Sequence, residues 1–189
     1  MSPPAVDLTH QRLSRAALEL FSSRGYHDTT TAQIAKKAGV AEGTIYRHFP
    51  SKQQLLNDLY RAALRWAAKT VEDSSGATPR ARLAAAAQGL VEGAVRDPAV
   101  VKLGLLERHE SILDDESRRV AREFRMGIER VIAQGKADGS VRAGAVDVWA
   151  GVWLATIGYA LEKIVLKDWK TADAGVGLVI DGAWEAISA

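Results

Sequence analysis

The chain lacks cysteine altogether, so it forms no disulfide bond and offers no thiolate for catalysis or metal binding. It has only four histidines in 189 residues, and it shows no HExxH motif, no phosphate-binding glycine loop and no GxSxG motif. In the segment ERHE (107–110), carboxylates flank a histidine, but consecutive residues of a helix diverge and do not converge on one ion. We therefore expect a protein that is not an enzyme and that holds neither a cofactor nor a metal ion.

Two further absences concern location. The first twelve residues lack the basic start and apolar core of a signal peptide. No apolar run approaches the roughly 20 residues that cross a bilayer. A cytoplasmic protein without a membrane partner is the expectation.

The charge is small in total but uneven along the chain. The net charge is +2. Residues 1–66 carry nine Lys or Arg against five Asp or Glu, whereas the remainder carries 16 against 18. A basic excess in the first third is typical of a small anion-binding unit on a neutral body, although an ordinary solvated surface also shows such an imbalance.

Apolar residues recur at helical spacing along most of the chain, and no stretch alternates as a strand does. The pattern predicts an all-α protein of about nine helices, with a head of three helices joined by a long helix to a larger helical bundle. Within the bundle it predicts helices over residues 83–95, 100–106, 116–137, 146–165 and 175–187. Residues 1–9, which include two prolines, are expected to be a disordered tail.

The stretch GVAEGTIYRHFPSKQQLL (39–56) follows a short helix that Thr30 and Gln33 open as a capping box. Gly39 breaks that helix, and a second short helix begins near Glu42 and ends before Pro50. Two short helices joined by a glycine turn and braced by a preceding helix predict a helix-turn-helix. Its small core is expected to contain Ile34, Ala35, Ala38, Val40, Ile45 and Phe49.

This placement leaves a polar face on the second short helix, and that face suits the major groove of B-DNA, which admits one α-helix. Gly43 allows a close backbone approach, and Thr44 offers a hydroxyl and a methyl group. Tyr46, His48 and Lys52 offer donors to phosphate oxygens, and Thr31 adds a hydroxyl beside the free amides of a helix start. The predicted DNA-binding residues are Thr31, Glu42, Gly43, Thr44, Tyr46, Arg47, His48 and Lys52. In the structural alternative, Tyr46 covers the edge of the core, His48 packs beside Phe49 and Lys52 is a solvated residue.

The segment TTTAQIAKKAGVAEGTIYRHFPSKQQLL, with RAALELFSSRGYHDTT upstream, resembles the DNA-binding head of the TetR family of bacterial transcriptional regulators. The resemblance covers roughly residues 10–60, and it places Thr31, Thr44, Tyr46, His48 and Lys52 at the family's DNA-contacting positions. It implies a DNA-binding domain at 10–51 and a ligand-binding and dimerisation domain at 52–189. Two departures from the family's pattern bear on the affinity for DNA. Ala41 replaces the frequent Ser or Thr at the N-cap of the recognition helix, and Glu42 brings a carboxylate near DNA.

Helix-turn-helix proteins usually dimerise to read two half-sites of an inverted repeat. The resemblance implies a homodimer built from the last two long helices, with both of them joining the partner's pair. The predicted interface residues are Trp153, Ile157, Ile164, Leu178, Val179, Gly182 and Ala183. The alternative is that these residues pack within one chain.

The family's regulatory half usually holds a small effector, and the resemblance implies one here. Apolar and aromatic residues favour a hydrophobic or aromatic ligand, and Glu107 suits a cationic one. The predicted ligand-binding residues are Leu103, Leu106, Glu107, Phe124, Met126, Trp149, Trp153 and Tyr159, although an aromatic stripe at helical spacing also fits an ordinary core. The leading hypothesis is a repressor released from a palindromic operator by its effector; the alternatives are an activator of the same family, or a helical ligand-binding or protein-interaction module without DNA binding.

Overall fold

The computed structural model describes residues 8–189. Its helices are α1 Leu8–Arg24, α2 Thr31–Ala38, α3 Ile45–His48, α4 Lys52–Glu72, α5 Pro79–Arg96, α6 Pro98–Val101, α7 Asp115–Ala137, α8 Val146–Val165 and α9 Ala174–Glu185. A 3₁₀ turn, Glu42–Thr44, precedes α3, and a π-helical turn, Lys102–Leu106, follows α6. The only β pairing among the described residues is the isolated bridge between Val141 and Ser188. The predicted all-α class is confirmed.

Local capping sets where several helices begin. Thr30 and Gln33 form the reciprocal capping box expected for α2. Ser51 accepts from the backbone N–H of Gln54 at 3.0 Å, but the Gln54 side chain donates to Asp58 instead of completing a second box. Helix α5 begins four residues before the predicted Leu83, because Thr78 caps it and Pro79 occupies the first helical position. The predicted tail at residues 1–9 lies outside the described residues except for Leu8 and Thr9, which are helical.

Two clusters of buried side chains hold the chain together. The head cluster joins α1, α2 and α3 to the start of α4; its largest buried members include Leu13, Phe21, Ile34, Ile45, Phe49 and Leu55. The body cluster joins α4, α5, α7, α8 and α9. Because α4 contributes to both clusters, it connects the head mechanically to the body.

Polar contacts add to this connection on the side of α7. Arg61 of α4 is 6% exposed, and its Nη1 donates to Asp114 Oδ2 at 2.9 Å and to Ser117 Oγ at 3.0 Å. Asn57 Oδ1 accepts from the backbone N–H of Asp114 at 2.9 Å. The start of α7 is therefore bound to the first half of α4.

Helix α8 is apolar on two faces. Its residues Ala150, Trp153, Ile157 and Leu161 are buried in the body cluster, whereas Val148 on another face is 54% exposed. Judged by length and composition alone, it is the one helix within residues 8–189 able to cross a membrane, which the sequence analysis did not predict. One such helix is weak support for a membrane segment, and the core of a soluble protein passes the same test.

Candidate nucleic-acid interface and ligand cavity

The second short helix of the helix-turn-helix is fixed from behind. Its first turn, Glu42–Thr44, is 3₁₀, and α3 continues it to His48. Ile45 and Phe49 are each 1% exposed and pack in the head cluster. Together the two segments give about two turns of helix whose position depends on these two anchors rather than on helix propensity.

The turn before this helix depends on Gly39, which has a φ of 67° in the left-handed region. Its N–H donates to Lys36 O at 3.1 Å, and the Val40 N–H donates to Ala35 O at 3.0 Å. A Cβ at Gly39 would lie 2.6 Å from Arg12 Nη2. The left-handed backbone conformation therefore favours glycine, whereas the nearest atoms belong to the movable end of the Arg12 side chain.

The two helices meet at their exposed ends through a pair of hydroxyls. Thr31 Oγ1, at the first position of α2, lies 3.0 Å from Tyr46 OH on α3. Tyr46 is 53% exposed and does not belong to the head cluster, so it does not act as a lid on the core. The pair places two hydroxyl groups and one aromatic ring side by side on the outer face.

The other predicted contacts fall into two groups. Glu42, Gly43 and Arg47 are exposed, and Arg47 Nη2 donates to the partly buried Thr44 Oγ1 at 3.4 Å. The ring of His48 stands edge-on to that of His10 on α1, with ring centroids 6.2 Å apart. His10 is therefore a neighbour of this face that the sequence analysis missed, because only the packing of α1 against α3 brings it there.

Lys52 has a different environment. Its Nζ donates to the carbonyls of Tyr26 and Thr29, both at 2.8 Å, and lies 4.2 Å from the centre of the Tyr26 ring. The ammonium group thus ties the start of α4 to the loop before α2. It is neither a free surface cation nor a simple solvated residue, and a contact with DNA would use its remaining donor.

A cavity of about 340 Å³, the body cavity, lies between α4, α5, the π-helical turn, α7 and α8. Its wall is mainly apolar, and Tyr60 and two arginines, Arg122 and Arg125, complete it. Arg125 donates to Glu129 and to the carbonyl of Asp147. Arg122 is exposed and has no ion-pair partner within residues 8–189. This cavity suits an apolar molecule with a group that pairs with a guanidinium.

The predicted ligand set does not converge on the body cavity: of its eight members, only Phe124 lines it. Leu103 belongs to the head cluster, and Trp153 is 1% exposed in the body core. Tyr159 is 49% exposed and stands edge-on to Trp169. A helical face can point to the core, to solvent or to a cavity, and spacing alone does not distinguish them, so a ligand contact at these residues stays a prediction.

The remaining members of that set also lie elsewhere. Met126 is 51% exposed, and Leu106 packs against the body cluster. Trp149 lies beside Gly144, where an added Cβ would come within 2.7 Å of its Nε1. Glu107 faces Lys102 and His109, and its burial raises its pKa despite both of these groups. The expected acidic partner for a cationic ligand is therefore absent from the body cavity, whose charged residues are arginines.

The predicted dimer residues separate into buried and accessible ones. Trp153, Ile157, Ile164 and Ala183 are at most 4% exposed within the single chain, so these four are core residues and not a surface for a partner. Leu178 is 73% exposed, and Val179 and Gly182 are partly exposed. The alternative that these residues pack within one chain thus holds for four of the seven.

A short polar helix held on a packed head, with a helical body attached through α4, defines a helix-turn-helix DNA-binding protein. Residues 13–59 match the family described as bacterial regulatory proteins, tetR family. The HTH-type transcriptional regulator BetI of Yersinia pestis (strain Pestoides F) is 30% identical over 163 residues, which cover 78% of this chain and 80% of BetI. The chain belongs to the TetR family and is a DNA-binding transcriptional regulator.

Two further regulators resemble the chain. The HTH-type transcriptional repressor KstR2 of Mycobacterium tuberculosis (strain H37Rv) is 32% identical over 118 residues, which cover 60% of this chain and 53% of KstR2. The crystal structure of the regulator FadR from Bacillus subtilis in complex with stearoyl-CoA aligns with a TM-score of 0.77 at 22% identity. That alignment covers 94% of this chain and 99% of FadR, and it confirms the fold.

Proposed function

We propose that the chain is a repressor that binds an inverted-repeat operator as a homodimer and leaves it when an effector occupies the body cavity. The observation that carries the DNA-binding part is the exposed pair of Thr31 and Tyr46, presented by helices that Ile45 and Phe49 anchor from behind. Repression is the activity printed in the name of KstR2. The functional division at residues 51 and 52, the cytoplasmic location and the absence of catalysis are parts of the same proposal.

Contacts with DNA follow from the position of each group. Thr44 and Gly43, at the outer start of the recognition helix, are assigned to base edges. Thr31, Tyr46, His48 and the remaining donor of Lys52 are assigned to phosphates, which set the register on the duplex. Arg47 is assigned to a phosphate next to the site of Thr44. The carboxylate of Glu42 is repelled by phosphates, so it is assigned to a base edge. There it accepts a hydrogen bond from a cytosine amino group where the operator sequence provides one.

The homodimer is assigned to the exposed apolar faces of α8 and α9. Val148 and Tyr159 lie on α8 and Leu178 on α9, and these side chains are 54%, 49% and 73% exposed. The face includes Gly182, where an added Cβ meets no atom within 4 Å. A second copy that covers these residues removes an exposed apolar surface from water and sets two recognition helices on one side of the dimer.

For the effector, we infer an apolar molecule with an anionic group. The body cavity is mainly apolar, and Arg122 at its wall has no ion-pair partner among residues 8–189. FadR, whose solved structure holds stearoyl-CoA, has the same fold. An occupant contacts Tyr60 and Leu64 of α4, so it acts on the helix that carries the head. It releases DNA only to the extent that it binds the released form more tightly.

The experiment is selection of binding sites from random double-stranded DNA, followed by titration of the selected site. We expect an inverted repeat whose half-sites are about one helical turn apart, bound by one dimer. Tyr46→Ala is expected to weaken binding about tenfold or more at unchanged thermal stability. The matched control is Met126→Ala, which removes a side chain of similar exposure (51%) from α7, outside the head and outside the face assigned to the dimer. The assigned recognition face is contradicted if the selection enriches no site, or if Tyr46→Ala binds the selected site as tightly as the unsubstituted protein.

Regulation is tested separately with the selected site placed upstream of a reporter gene. We expect expression to fall when the protein is present and to recover with an apolar carboxylate. Expression that rises with the protein identifies an activator instead.

A further inference from the structure

Helix α1 of the head is bound to the body at two points that do not involve α4. Near the middle of α1, Arg15 forms an ion pair with Oδ2 of Asp97, the residue between α5 and α6. Near its C-terminal end, the carbonyl of Ser22 accepts a hydrogen bond from Nζ of Lys102, the first residue of the π-helical turn. We call these four residues the α1 clamp. The body segment 97–102 is thus attached to α1 at both of its ends.

Apolar packing fills the space between the two attachments. Ala99 and Val100 of α6 pack against the head cluster, and Leu103 is a buried member of it. Leu18, which lies on α1 between the two attachments, is buried in the same cluster. Polar groups at both ends and apolar contacts between them oppose rotation of the head, because a turn about one attachment breaks the other.

The attachment at Ser22 follows from the end of a helix. The last four carbonyls of an α-helix have no partner within it, and Ser22 lies two residues before the end of α1 at Arg24. Its carbonyl therefore needs a donor from elsewhere, and a cation is favoured at this end of the helix dipole. Lys102 supplies both a donor and a positive charge, so this attachment is a charge-assisted hydrogen bond.

The attachment at Arg15 belongs to a row of charges that alternate in sign. Arg15 Nε donates to Glu19 at 2.8 Å, and Lys37 of α2 pairs with the other oxygen of Glu19 at 3.0 Å. The row leads from Asp97 in the body through α1 to α2. The second oxygen of Asp97, Oδ1, is buried and has no hydrogen-bond partner among residues 8–189. Loss of Arg15 would therefore leave this carboxylate without a partner in the described chain.

We propose that Arg15, Asp97 and Lys102 are positioning residues for DNA recognition, because the α1 clamp holds each head in one orientation on its body. This inference rests on the proposed function, in which a dimer reads two half-sites at once. A head that turns on its body must be ordered when the second half-site binds, and this ordering weakens the affinity. None of the three side chains is assigned a contact with DNA.

The first test is a double-mutant cycle on the affinity for the selected DNA. Arg15→Gln and Asp97→Asn each break the ion pair. The pair is partly exposed, so we expect a loss of about two- to threefold per head, which multiplies to about four- to tenfold in a dimer with two clamps. Because the two changes remove the same interaction, the double variant should bind no more weakly than either single variant. Arg15→Lys keeps a cation and should restore most of the affinity.

Two results separate positioning from direct contact with DNA. Asp97→Asn removes a negative charge, which by charge alone favours DNA binding, whereas the clamp predicts weaker binding. Arg15→Gln should leave the slope of affinity against salt nearly unchanged, since no phosphate contact is lost. The control is Lys37→Gln, which breaks an ion pair within the head and is expected to change affinity less than about twofold. Thermal melts establish that each variant folds.

The second test measures the orientation of the head without DNA or effector. Because the sequence has no cysteine, Lys36→Cys on α2 and Glu92→Cys on α5 give one exposed spin-label site in the head and one in the body. Distances between the labels are measured by double electron–electron resonance, with the labelled chain mixed with an excess of unlabelled chain. We expect the distance distribution to become about 1.5-fold wider or more when Arg15→Gln and Lys102→Met are combined. Arg119→Gln, which breaks ion pairs within α7, should leave the width unchanged.

Three results would overturn the proposal: an unchanged width in the combined variant, equal or tighter DNA binding by Asp97→Asn, or losses that add in the double variant of the ion pair. A selection that enriches no DNA site counts against the proposed function and not against the clamp. In that case the distance measurement alone decides whether the α1 clamp holds the head.

Discussion

In the head, Phe21, Ile45 and Phe49 are at most 1% exposed and enclose a small core beneath the recognition face. In the body, α4, α5, α7 and α8 leave a cavity of about 340 Å³. The head therefore presents fixed polar groups outward, and the body presents an apolar space inward. A surface that reads DNA must hold its geometry, whereas a space that senses a ligand must change when it is filled.

Helix α4 is the element common to both regions. Leu55 and Leu56 near its start pack in the head cluster, and Leu64 and Ala67 further along pack in the body cluster. Leu103 of the π-helical turn also reaches the head cluster. Under the proposed function, we therefore expect a shift of α4 in the body to move the recognition helix of the head.

The largest effect is expected from Phe49→Ala, which removes a buried ring from the head. Large-to-small changes of a buried phenylalanine cost about 3–5 kcal/mol. We expect hydrogen exchange to accelerate across α1, α2 and α3 more than across α8, and binding of the selected DNA to be lost. Equal acceleration in the head and the body would show that they unfold as one unit and would remove the distinction between them.

The next effect concerns the contact between α4 and α7. Burial acts to raise the pKa of Asp114, but hydrogen bonds from Ser117 and Arg61 outweigh it, so the pKa is lowered from 3.8. Asp114→Asn keeps a side chain able to cap α7 and removes the charge that faces Arg61. We expect a loss of about 1 kcal/mol at neutral pH.

The pH dependence checks the sign of this effect. A carboxyl group whose pKa is lowered in the folded state stabilises the protein above its ordinary pKa, and this contribution disappears as the pH falls through the lowered value. The stability difference between the original chain and Asp114→Asn should therefore be constant near neutral pH and shrink below about pH 4 in thermal melts. A difference that grows on acidification contradicts the assignment, and Asp115→Asn at an exposed neighbouring position is the control.

A smaller effect is expected from the hydroxyl pair of the recognition face. Thr31→Val and Tyr46→Phe each remove one hydroxyl and keep the shape of the side chain. Because the pair is exposed, we expect stability to change by less than about 0.5 kcal/mol, while affinity for the selected DNA falls about three- to tenfold in gel-shift titrations.

The salt dependence of DNA affinity shows whether a variant binds more weakly because it lost a hydrogen bond or because it lost a charge. A lost hydrogen bond from a neutral hydroxyl leaves the slope of affinity against salt nearly unchanged, since no counterions are involved. Arg47→Gln, which removes a charge, should reduce the slope by about one unit. Unchanged affinity in both hydroxyl variants would refute the phosphate contacts assigned to Thr31 and Tyr46.

The smallest effect on the free protein is expected from Arg122→Gln in the body. Arg122 is exposed, so stability and DNA affinity should stay within experimental error. Binding of decanoate is expected to weaken about fivefold, while binding of decanol, which lacks the charge, stays unchanged. Arg119→Gln, at an exposed position one helical turn earlier, is the control. Equal weakening for the two probes would refute the charge pairing.

The head was predictable because its determinants lie close together along the chain. Three features of the head each depend on residues a few positions apart: the capping box, the glycine turn and the two buried anchors. Their residues are Thr30 with Gln33, Gly39, and Ile45 with Phe49. The body cavity was not predictable, since its wall combines segments that are distant along the chain, such as those of Tyr60 and Leu161. Arg122 lies two residues before Phe124, but no local pattern shows that it borders a cavity.

By itself, the sequence determined the helices, the capping of α2, the glycine turn and the polar face beyond it, because periodicity and capping act within one or two turns. Only the tertiary structure decided that Trp153, Ile157, Ile164 and Ala183 are core residues, and that arginines rather than Glu107 border the body cavity. The physical reason is that packing between distant helices chooses which apolar stripe of a helix is covered. Local periodicity only shows that such a stripe exists.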